Sequence, residues 1–373
     1  MASQVYFTDM RAGSQKESLP RKLRRMFDQA AFSKLFDKEE LVAIKIHFGE
    51  TGNLGFIHPV LVRQVVDKVK ENNGKPFLVD TNTLYVGSRS NTVDHLETAL
   101  KNGFSYATVA APLVIADGLY GKNFVEVEIN QKHFDKVKIG SDIYNAPSMI
   151  VMSHVKGHIA TGFGGALKNL GMGCGNRGGK QMMHSVVKPQ VDSQKCTGCG
   201  ICLKWCPVDA ISQKKKRGKA EIDRDLCIGC GECTAACQYQ AIKIRWQSET
   251  DQLQERMVEF ALGAVQSKGR KTGFINFVMN VTPDCDCHAW SDAPVVPDVG
   301  VLASTDPVAL DQASVDLINR QSGLVGTKLA TNYTPGQDKF KGIRDNIDHN
   351  VQLKYAEEIG LGARSYELIE IKP

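Results

Sequence analysis

Eight cysteines between residues 196 and 237 form two matching runs whose spacing indicates metal chemistry. The first run reads C-T-G-C-G-I-C-L-K-W-C-P from Cys196, and the second reads C-I-G-C-G-E-C-T-A-A-C from Cys227. Each run has the spacing C-x2-C-x2-C-x3-C, and the two are offset by 31 residues. Thiolates at this spacing can surround one metal centre. Gly198 and Gly229 permit tight turns, which bring backbone amides close to the sulfurs.

Disulfides and zinc sites fit these two runs less well. Disulfides are typical of secreted proteins, and residues 1–7 lack the charged region and apolar core of a signal peptide. Zinc sites use C-x2-C pairs rather than two matching runs of four cysteines. The spacing therefore favours iron–sulfur clusters.

The two runs resemble the bacterial two-cluster ferredoxin module, which carries two [4Fe–4S] clusters. In that family the fourth cysteine of each run binds the other cluster. The second run departs from the family pattern, because Gln238 rather than proline follows its last cysteine. The resemblance implies two ligand sets: Cys196, Cys199, Cys202 and Cys237 for one cluster, and Cys227, Cys230, Cys233 and Cys206 for the other.

Apolar strands alternate with amphipathic helices on both sides of the cysteine-rich segment. This alternation predicts an α/β fold with a mostly parallel sheet. We expect one α/β domain formed by residues 1–188 and 247–373, with an α+β two-cluster ferredoxin-type domain inserted at 189–246. Two independent α/β domains are the alternative. Strands are predicted at 4–9, 41–48, 76–80, 113–117, 124–129, 149–153, 273–281, 301–303 and 365–371, and helices at 17–36, 59–71, 92–102, 251–266, 307–320 and 351–359.

Polar residues follow the carboxyl ends of predicted strands, where ligands bind in open α/β sheets. His47 follows one such strand, and His154, Lys156 and His158 follow another. Lys168 lies in a short helix after a glycine-rich turn, and the start of that helix is expected to offer free amides to an anion. The lysines suit an anionic substrate and the histidines suit proton transfer, so these five are the candidate catalytic residues. Glycines that only permit close helix–sheet packing are the alternative.

Three cysteines lie outside the two runs. Cys285-Asp286-Cys287-His288 is a compact group of soft ligands, and Cys174 could complete it as a third metal site. Buried thiols are one alternative, and a redox-active or nucleophilic thiol is another.

Two further segments, Gly164 to Gly173 and Ala303 to Asp311, resemble an uncharacterised family. That family is catalogued as a domain of unknown function among iron–sulfur-binding proteins, with a two-cluster ferredoxin embedded in it. The resemblance spans most of the chain and implies the architecture above, without a settled reaction. A weaker likeness to nickel-dependent lactate-racemase-type proteins concerns histidine and lysine around a glycine-rich turn, and it counts as analogy only.

Composition limits the partners and the location. The chain has 373 residues and a formal net charge of +5. Each oxidised cluster with four thiolates would add about −2, so the basic balance does not indicate nucleic-acid binding. No stretch approaches about 18 apolar residues, so no membrane span is predicted. We expect a reducing, anaerobic cytoplasm and a redox partner protein that donates or accepts electrons.

The function that these patterns favour is an iron–sulfur redox protein. Electrons would pass through two [4Fe–4S] clusters to a small anionic substrate, or to an additional metal, in the α/β cleft. The sequence leaves open whether the protein is an enzyme, as an oxidoreductase, or a non-catalytic electron carrier that reductively activates a partner enzyme. An assembly protein that holds a metal or cluster at Cys174, Cys285 and Cys287 is the third hypothesis.

Overall fold

The structure is a computed structural model that describes residues 2–85, 87–184, 188–227, 229, 231–243 and 250–371. Cys230, one of the eight cysteines in the two runs, lies outside the described residues. Within the described ranges, no helix is both long enough and apolar enough to cross a membrane.

The first part of the chain alternates strands with helices. A short 3-10 helix at Gln15–Glu17 precedes the first α-helix, and another at Phe32–Leu35 follows it. The elements are β1 (Ser3–Asp9), α1 (Leu19–Gln29), β2 (Leu41–Lys45), α2 (Pro59–Glu71), β3 (Lys75–Asp80), α3 (Thr92–Lys101), α4 (Tyr106–Val109) and β4 (Leu113–Ile115).

The middle part holds shorter elements around one long buried strand. They are β5 (Phe124–Glu128), β6 (Lys136–Gly140), α5 (Ser141–Asn145), β7 (Ser148–His154), β8 (Lys156–His158), β9 (Gly162–Gly164), α6 (Ala166–Cys174) and α7 (Arg177–Met183).

The cysteine-rich segment contributes only short elements, and the chain then returns to longer ones. The segment contains β10 (Gln190–Val191), α8 (Ile201–Lys204), β11 (Ile211–Gln213), β12 (Ala220–Ile222), α9 (Glu232–Ala236) and β13 (Ile242–Lys243). The last part contains α10 (Thr250–Gln266), β14 (Thr272–Val278), β15 (Gly300–Ser304), α11 (Pro307–Asn319), α12 (Lys339–Ile343), α13 (Asn350–Glu358) and β16 (Tyr366–Glu370).

Eight of these strands form one sheet in the order β16-β1-β15-β14-β7-β2-β3-β4. Within this sheet every strand runs in one direction except β15, which is antiparallel to both neighbours. The prediction of an α/β fold with a mostly parallel sheet is confirmed. The sheet draws strands from both sides of the cysteine-rich segment, whose own strands pair with each other, β10 with β13 and β11 with β12.

Both faces of the sheet are buried, which explains why the central strands read as unbroken apolar runs. Met149 and Val151 of β7 join the core on one face, and Ile150 and Met152 join the core on the other. Helices α6, α10, α11 and α13 cover the first face, while α1 and α2 cover the second. The carboxyl ends of β3, β2, β7 and β14 therefore lie side by side at one edge of a rigid layer.

The prediction of a single helix over 17–36 is wrong. Helix α1 ends at Gln29, and the chain continues into the separate 3-10 helix at Phe32–Leu35. Ala31, between them, has a left-handed φ of 53°, which an α-helix cannot accommodate. The helical period of the apolar residues continues across this break, so hydrophobicity alone does not reveal it.

Candidate functional site

A cavity of about 430 Å³ opens at the carboxyl ends of β2, β3 and β7. The last residue of each strand lines it: Lys45 of β2, Asp80 of β3 and His154 of β7. All five candidate catalytic residues line the same cavity, and Cys287 and His288 line it as well. The structure thus gathers residues that are up to 243 positions apart, from Lys45 to His288.

One wall of the cavity is a buried network of charges. Lys45 Nζ lies 3.0 Å from Asp80 Oδ1, and Arg89 Nη1 lies 3.6 Å from Asp80 Oδ2. Arg89 Nε lies 3.3 Å from Glu50 Oε2. Burial opposes the charge of Asp80, but Lys45 and the other neighbouring cations hold its pKa well below the usual range. The charges of this wall are therefore fixed in position without a ligand.

Asp286 anchors the opposite wall. Its carboxylate lies 2.9 Å from His154 Nδ1 and 3.2 Å from Lys156 Nζ. The other ring nitrogen of His154 lies 3.0 Å from the carbonyl oxygens of Met279 and Asn280. Both ring nitrogens therefore have partners in the cavity wall. These contacts make His154 a structural anchor of the cavity wall.

Two other histidines of the cavity are neutral. Burial, with Arg89 nearby, lowers the pKa of His47 well below its usual value, and burial with Lys168 and Lys156 does the same for His158. Gly49 N donates to His47 Nδ1 at 2.9 Å, and Thr161 N donates to His158 Nδ1 at 3.1 Å. A neutral ring whose Nδ1 accepts a hydrogen bond carries its proton on Nε2.

Lys168 contacts the pair of cysteines at the cavity. Its Nζ lies 3.1 Å from Cys285 Sγ, and ligand atoms of Cys285, Cys287 and His158 all lie within 4.8 Å of one another. A hydrogen bond with Cys287 lowers the pKa of Cys285 well below its usual value, against burial, and Lys168 lowers it further. The same hydrogen bond, together with burial, raises the pKa of Cys287. The opposite directions of the two shifts, together with the contact of Lys168 with Cys285 Sγ, favour Cys285 as the thiolate of the pair.

Cys174, which the sequence grouped with these two cysteines, lies elsewhere. It is fully buried in the main hydrophobic core at the end of α6, and burial raises its pKa to about 11. The compact group within the described residues contains His158 and does not contain Cys174 or His288. His288 instead stacks on Trp290, with ring centroids 5.0 Å apart.

The start of α6 does not offer free amides to a ligand, contrary to the sequence prediction. Ala166 N and Leu167 N donate to the two carboxylate oxygens of Asp311, at 2.7 and 2.9 Å. A Cβ on Gly165 would lie 2.3 Å from Asp311 Oδ1, which explains glycine at this position. The glycine-rich segment and the segment around Asp311 therefore meet, and the buried carboxylate takes the place an anion would have occupied.

Cationic side chains outnumber carboxylates around the cavity. Five lining residues are lysine or arginine, and two are aspartate. This excess favours an anionic ligand, because a positively charged wall in a low-dielectric site attracts negative charge. The cations are Lys45, Arg89, Lys156, Lys168 and Lys180, and the carboxylates are Asp80 and Asp286.

Sequence reasoning missed Arg89, Lys180 and the anchoring role of Asp286. Arg89 lies in a loop and Lys180 in the short helix α7, and no spacing or motif marks either of them. Asp286 could have been found, because it separates the two cysteines of a C-x-C group in which every other member was already a candidate.

The cysteine-rich segment contains two small cavities, each lined by cysteines from both runs. Cys196, Cys199 and Cys202 line one of them together with Cys237. The other is lined by Cys227, Cys233 and Cys206, and Cys230 lies outside the described residues.

The two halves of this segment repeat in backbone conformation as well as in sequence. Gly200 and Gly231, 31 residues apart, both have a φ of 74° and precede α8 and α9. Ala210 N donates to Cys206 Sγ at 3.1 Å, and Ala241 N donates to the equivalent Cys237 Sγ at 3.2 Å. Amide hydrogen bonds of this kind stabilise thiolate charge.

Helix α7 lies between the cavity and the cysteine-rich segment. Lys180 lines the cavity, and the adjacent Gln181 contacts Gly231, where an added Cβ would lie 2.0 Å from Gln181 Cβ. Gly231 in turn lines the second cysteine cavity. Across the same contact, Lys138 Nζ lies 2.6 Å from Glu232 Oε1. One short helix therefore touches both candidate sites.

Comparison with solved structures finds distant likenesses. The lactate racemase apoprotein from Thermoanaerobacterium thermosaccharolyticum is 11% identical, with a TM-score of 0.43, over 86% of this chain and 58% of that one. A protein from Thermotoga maritima is 8% identical, with a TM-score of 0.37, over 94% of this chain and 60% of that one. This chain thus covers about three fifths of each structure's length. No curated protein matches it.

One protein-family model matches the chain, over residues 42–316. Its description is "Domain of unknown function (DUF362)". The match covers the central strands, the glycine-rich segment, both cysteine runs and the Cys285–Cys287 loop. It takes in well over half of the chain, and the protein is therefore a member of the DUF362 family.

Proposed function

We propose that this protein is an iron–sulfur redox protein that delivers electrons to a small anionic ligand in the cavity. The observation that carries the proposal is the composition of the two cysteine cavities. Cysteines that are adjacent in space come from both runs, with Cys237 beside the first run and Cys206 beside the second. This is the crossed arrangement expected of a two-cluster [4Fe–4S] module.

The donor set fits such clusters. Among the described residues that line the two cavities, every histidine, cysteine, aspartate or glutamate is a cysteine, and backbone amides already donate to Cys206 and Cys237 Sγ. The first cavity would hold its cluster with Cys196, Cys199, Cys202 and Cys237, and the second with Cys227, Cys230, Cys233 and Cys206. When bound, such clusters supply electrons one at a time.

The chain's own residues would bind and protonate the ligand. Lys156 is buried and Lys168 half-buried in the cavity wall, where their charge is worth more than in water. The neutral rings of His47 and His158 carry a proton on Nε2, which is the requirement for a hydrogen-bond or proton donor to a ligand. Helix α7 brings the second cysteine cavity against this wall, which suits short electron transfer.

Two other functions have an observation in their favour. Candidate ligand atoms of Cys285, Cys287 and His158 lie within 4.8 Å of one another, and this proximity is the observation in favour of an assembly protein. The exposed basic tip at 214–217 would suit an electron carrier that docks on an acidic partner. An enzyme differs from both because its ligand should change the rate at which reduced clusters are reoxidised.

The test is the metal content of the full chain after anaerobic purification, with electron paramagnetic resonance of the reduced protein. We expect about eight irons per chain and two interacting [4Fe–4S] signals. The Cys199→Ala variant should lose one cluster, and Cys174→Ala, as the control, should keep both. Protein that contains no iron would contradict the proposal. A full iron content in Cys199→Ala would contradict the ligand assignment.

A further inference from the structure

Cys285 and Cys287 form a close sulfur pair beside the cavity. Their Sγ atoms lie within 4.8 Å of each other, and Cys287 N donates to Cys285 Sγ at 3.4 Å. Cys287 lines the cavity, whereas Cys285 is buried behind it with only 2% of its surface exposed. The residue between them, Asp286, is held by His154 and Lys156. The loop that carries both sulfurs is therefore fixed in place.

The surroundings of the pair oppose metal binding. Ala160 N and Thr161 N both donate to His158 Nδ1, at 3.2 and 3.1 Å. One ring nitrogen is thereby used as an acceptor and the other carries the proton, so the neutral ring has no lone pair left for a metal. Cys174 lies in the core and belongs to no metal-capable group within the described ranges. Two sulfurs alone do not complete a tetrahedral site.

The surroundings favour redox chemistry of the sulfurs instead. Lys168 Nζ lies 3.1 Å from Cys285 Sγ, so a neighbouring ammonium stabilises one thiolate of the pair. To close a disulfide, the two sulfurs have to approach from within 4.8 Å to a bonding distance of about 2.05 Å. A dithiol also stores two electrons, which matches two clusters that each supply one.

We propose that Cys285 and Cys287 are a redox-active dithiol that takes two electrons, one at a time, from the clusters and passes them to an anionic two-electron acceptor bound in the cavity. On oxidation, the Cys285 thiolate and the Cys287 thiol form one S–S bond and release one proton and two electrons. Reduction takes up the same proton and two electrons and breaks that bond. This proposal depends on the proposed function in one respect, because the iron–sulfur clusters are the electron donor of the cysteine pair.

Oxidation would also change the cavity. A disulfide sulfur carries no charge, so Lys168 loses its ion-pair partner when the S–S bond forms. Its ammonium is then free to bind an anion, and the oxidised protein should bind inorganic phosphate at least tenfold more tightly than the reduced protein. The redox state of the pair thus sets the affinity of the cavity for an anion.

The experiment uses the anaerobically purified full chain, equilibrated in glutathione buffers of increasing oxidised fraction, denatured in acid and alkylated. The tryptic peptide at 272–320 contains Cys285 and Cys287 and no other cysteine. We expect it to change from two alkyl groups to none, with the mass of a disulfide, along a two-electron titration curve. The peptide at 169–177 contains Cys174 alone and should stay alkylated throughout.

Iron measured on the same samples separates the two proposals. If the 272–320 peptide carries two alkyl groups in every glutathione buffer and iron is present, the dithiol proposal is overturned and the proposed function stands. A two-electron titration in iron-free protein upholds the dithiol and overturns the proposed function. A stoichiometric metal ion that is lost in Cys285→Ser, while the iron stays, replaces the dithiol by a metal site. Cys287→Ser serves as the second variant, and it should keep a single alkylated cysteine at all poises.

Discussion

The cysteine-rich segment and the cavity are held together by different forces. The segment has strands of two or three residues and a core of five buried residues, two of which are cysteines. The cavity lies at the edge of an eight-stranded sheet with cores on both faces, and its walls are fixed by buried ion pairs. A core as small as that of the segment does not sustain a fold by itself, whereas the sheet does. The folded structure of the segment should therefore depend on bound metal, and the folded structure of the cavity walls should not.

Removal of iron should produce the largest effect and tests this contrast directly. An anaerobic chelator should unfold the segment at 190–243, because metal binding there supplies the folding free energy. Amide hydrogen exchange, read by mass spectrometry, should rise by orders of magnitude in the segment and stay slow in β2, β7 and β14. Equal increases in both regions would show that the sheet also depends on the metal.

Lys168→Ala should sharpen the description of the cavity. In protein whose Cys285–Cys287 pair is oxidised, loss of this ammonium from the cavity wall should weaken the binding of inorganic phosphate or simple carboxylates by at least about tenfold, roughly 1.4 kcal/mol, and leave iron content unchanged. Isothermal titration calorimetry measures the affinity. Lys268→Ala is the matched control, since Lys268 is a buried lysine whose Nζ donates to Tyr144 O at 2.6 Å, away from the cavity. If Lys168→Ala and the natural protein bound the anion with equal affinity, Lys168 would not be part of the anion-binding site.

Gly165→Ala should destabilise the sheet domain without touching either candidate site. The new Cβ would lie 2.3 Å from Asp311 Oδ1. This clash should lower the free energy of unfolding by about 1–3 kcal/mol, measured by urea denaturation. Gly13→Ala, whose Cβ would meet only the flexible end of Glu17 at 3.3 Å, should have almost no effect. An unchanged free energy of unfolding in Gly165→Ala would mean that Asp311 can move away from the start of α6.

The smallest effect should be a pH step in anion binding. Burial lowers the pKa of Lys180 to about 8. Below that pH its ammonium attracts an anion, and above it the neutral amine does not, so affinity should fall as the pH rises through about 8. Lys180→Met should bind more weakly at neutral pH and lose the step. A step of the same size in Lys180→Met would assign it to another group.

The sequence predicted the sheet, its mostly parallel character and the gathering of His47, His154, Lys156, His158 and Lys168, because parallel strands present their carboxyl ends at one edge. It did not predict the order of the strands, which is set by the crossover helices and the single antiparallel strand β15. The expected anion site at the start of α6 was wrong, because Asp311 comes from a distant helix and no local pattern reveals that contact.

The pairing of charges was the least predictable feature. Arg89 and Lys180 carry no motif, and their roles follow from which carboxylates three-dimensional packing brings near them. The crossed ligand sets of the two proposed clusters were implied by resemblance to a family, and the order of the cysteines alone would have permitted each run to bind its own cluster.

Helix α7 has a thermodynamic consequence for the whole molecule. It contacts the cavity through Lys180 and the second cysteine cavity through Gln181 and Gly231, so any change that shifts the helix is felt at both ends. Coupling between two binding sites is reciprocal. If the proposed clusters are present, an anion that tightens the cavity around α7 should raise the affinity of the cysteine-rich segment for iron, and bound iron should raise the affinity of the cavity for that anion by the same factor.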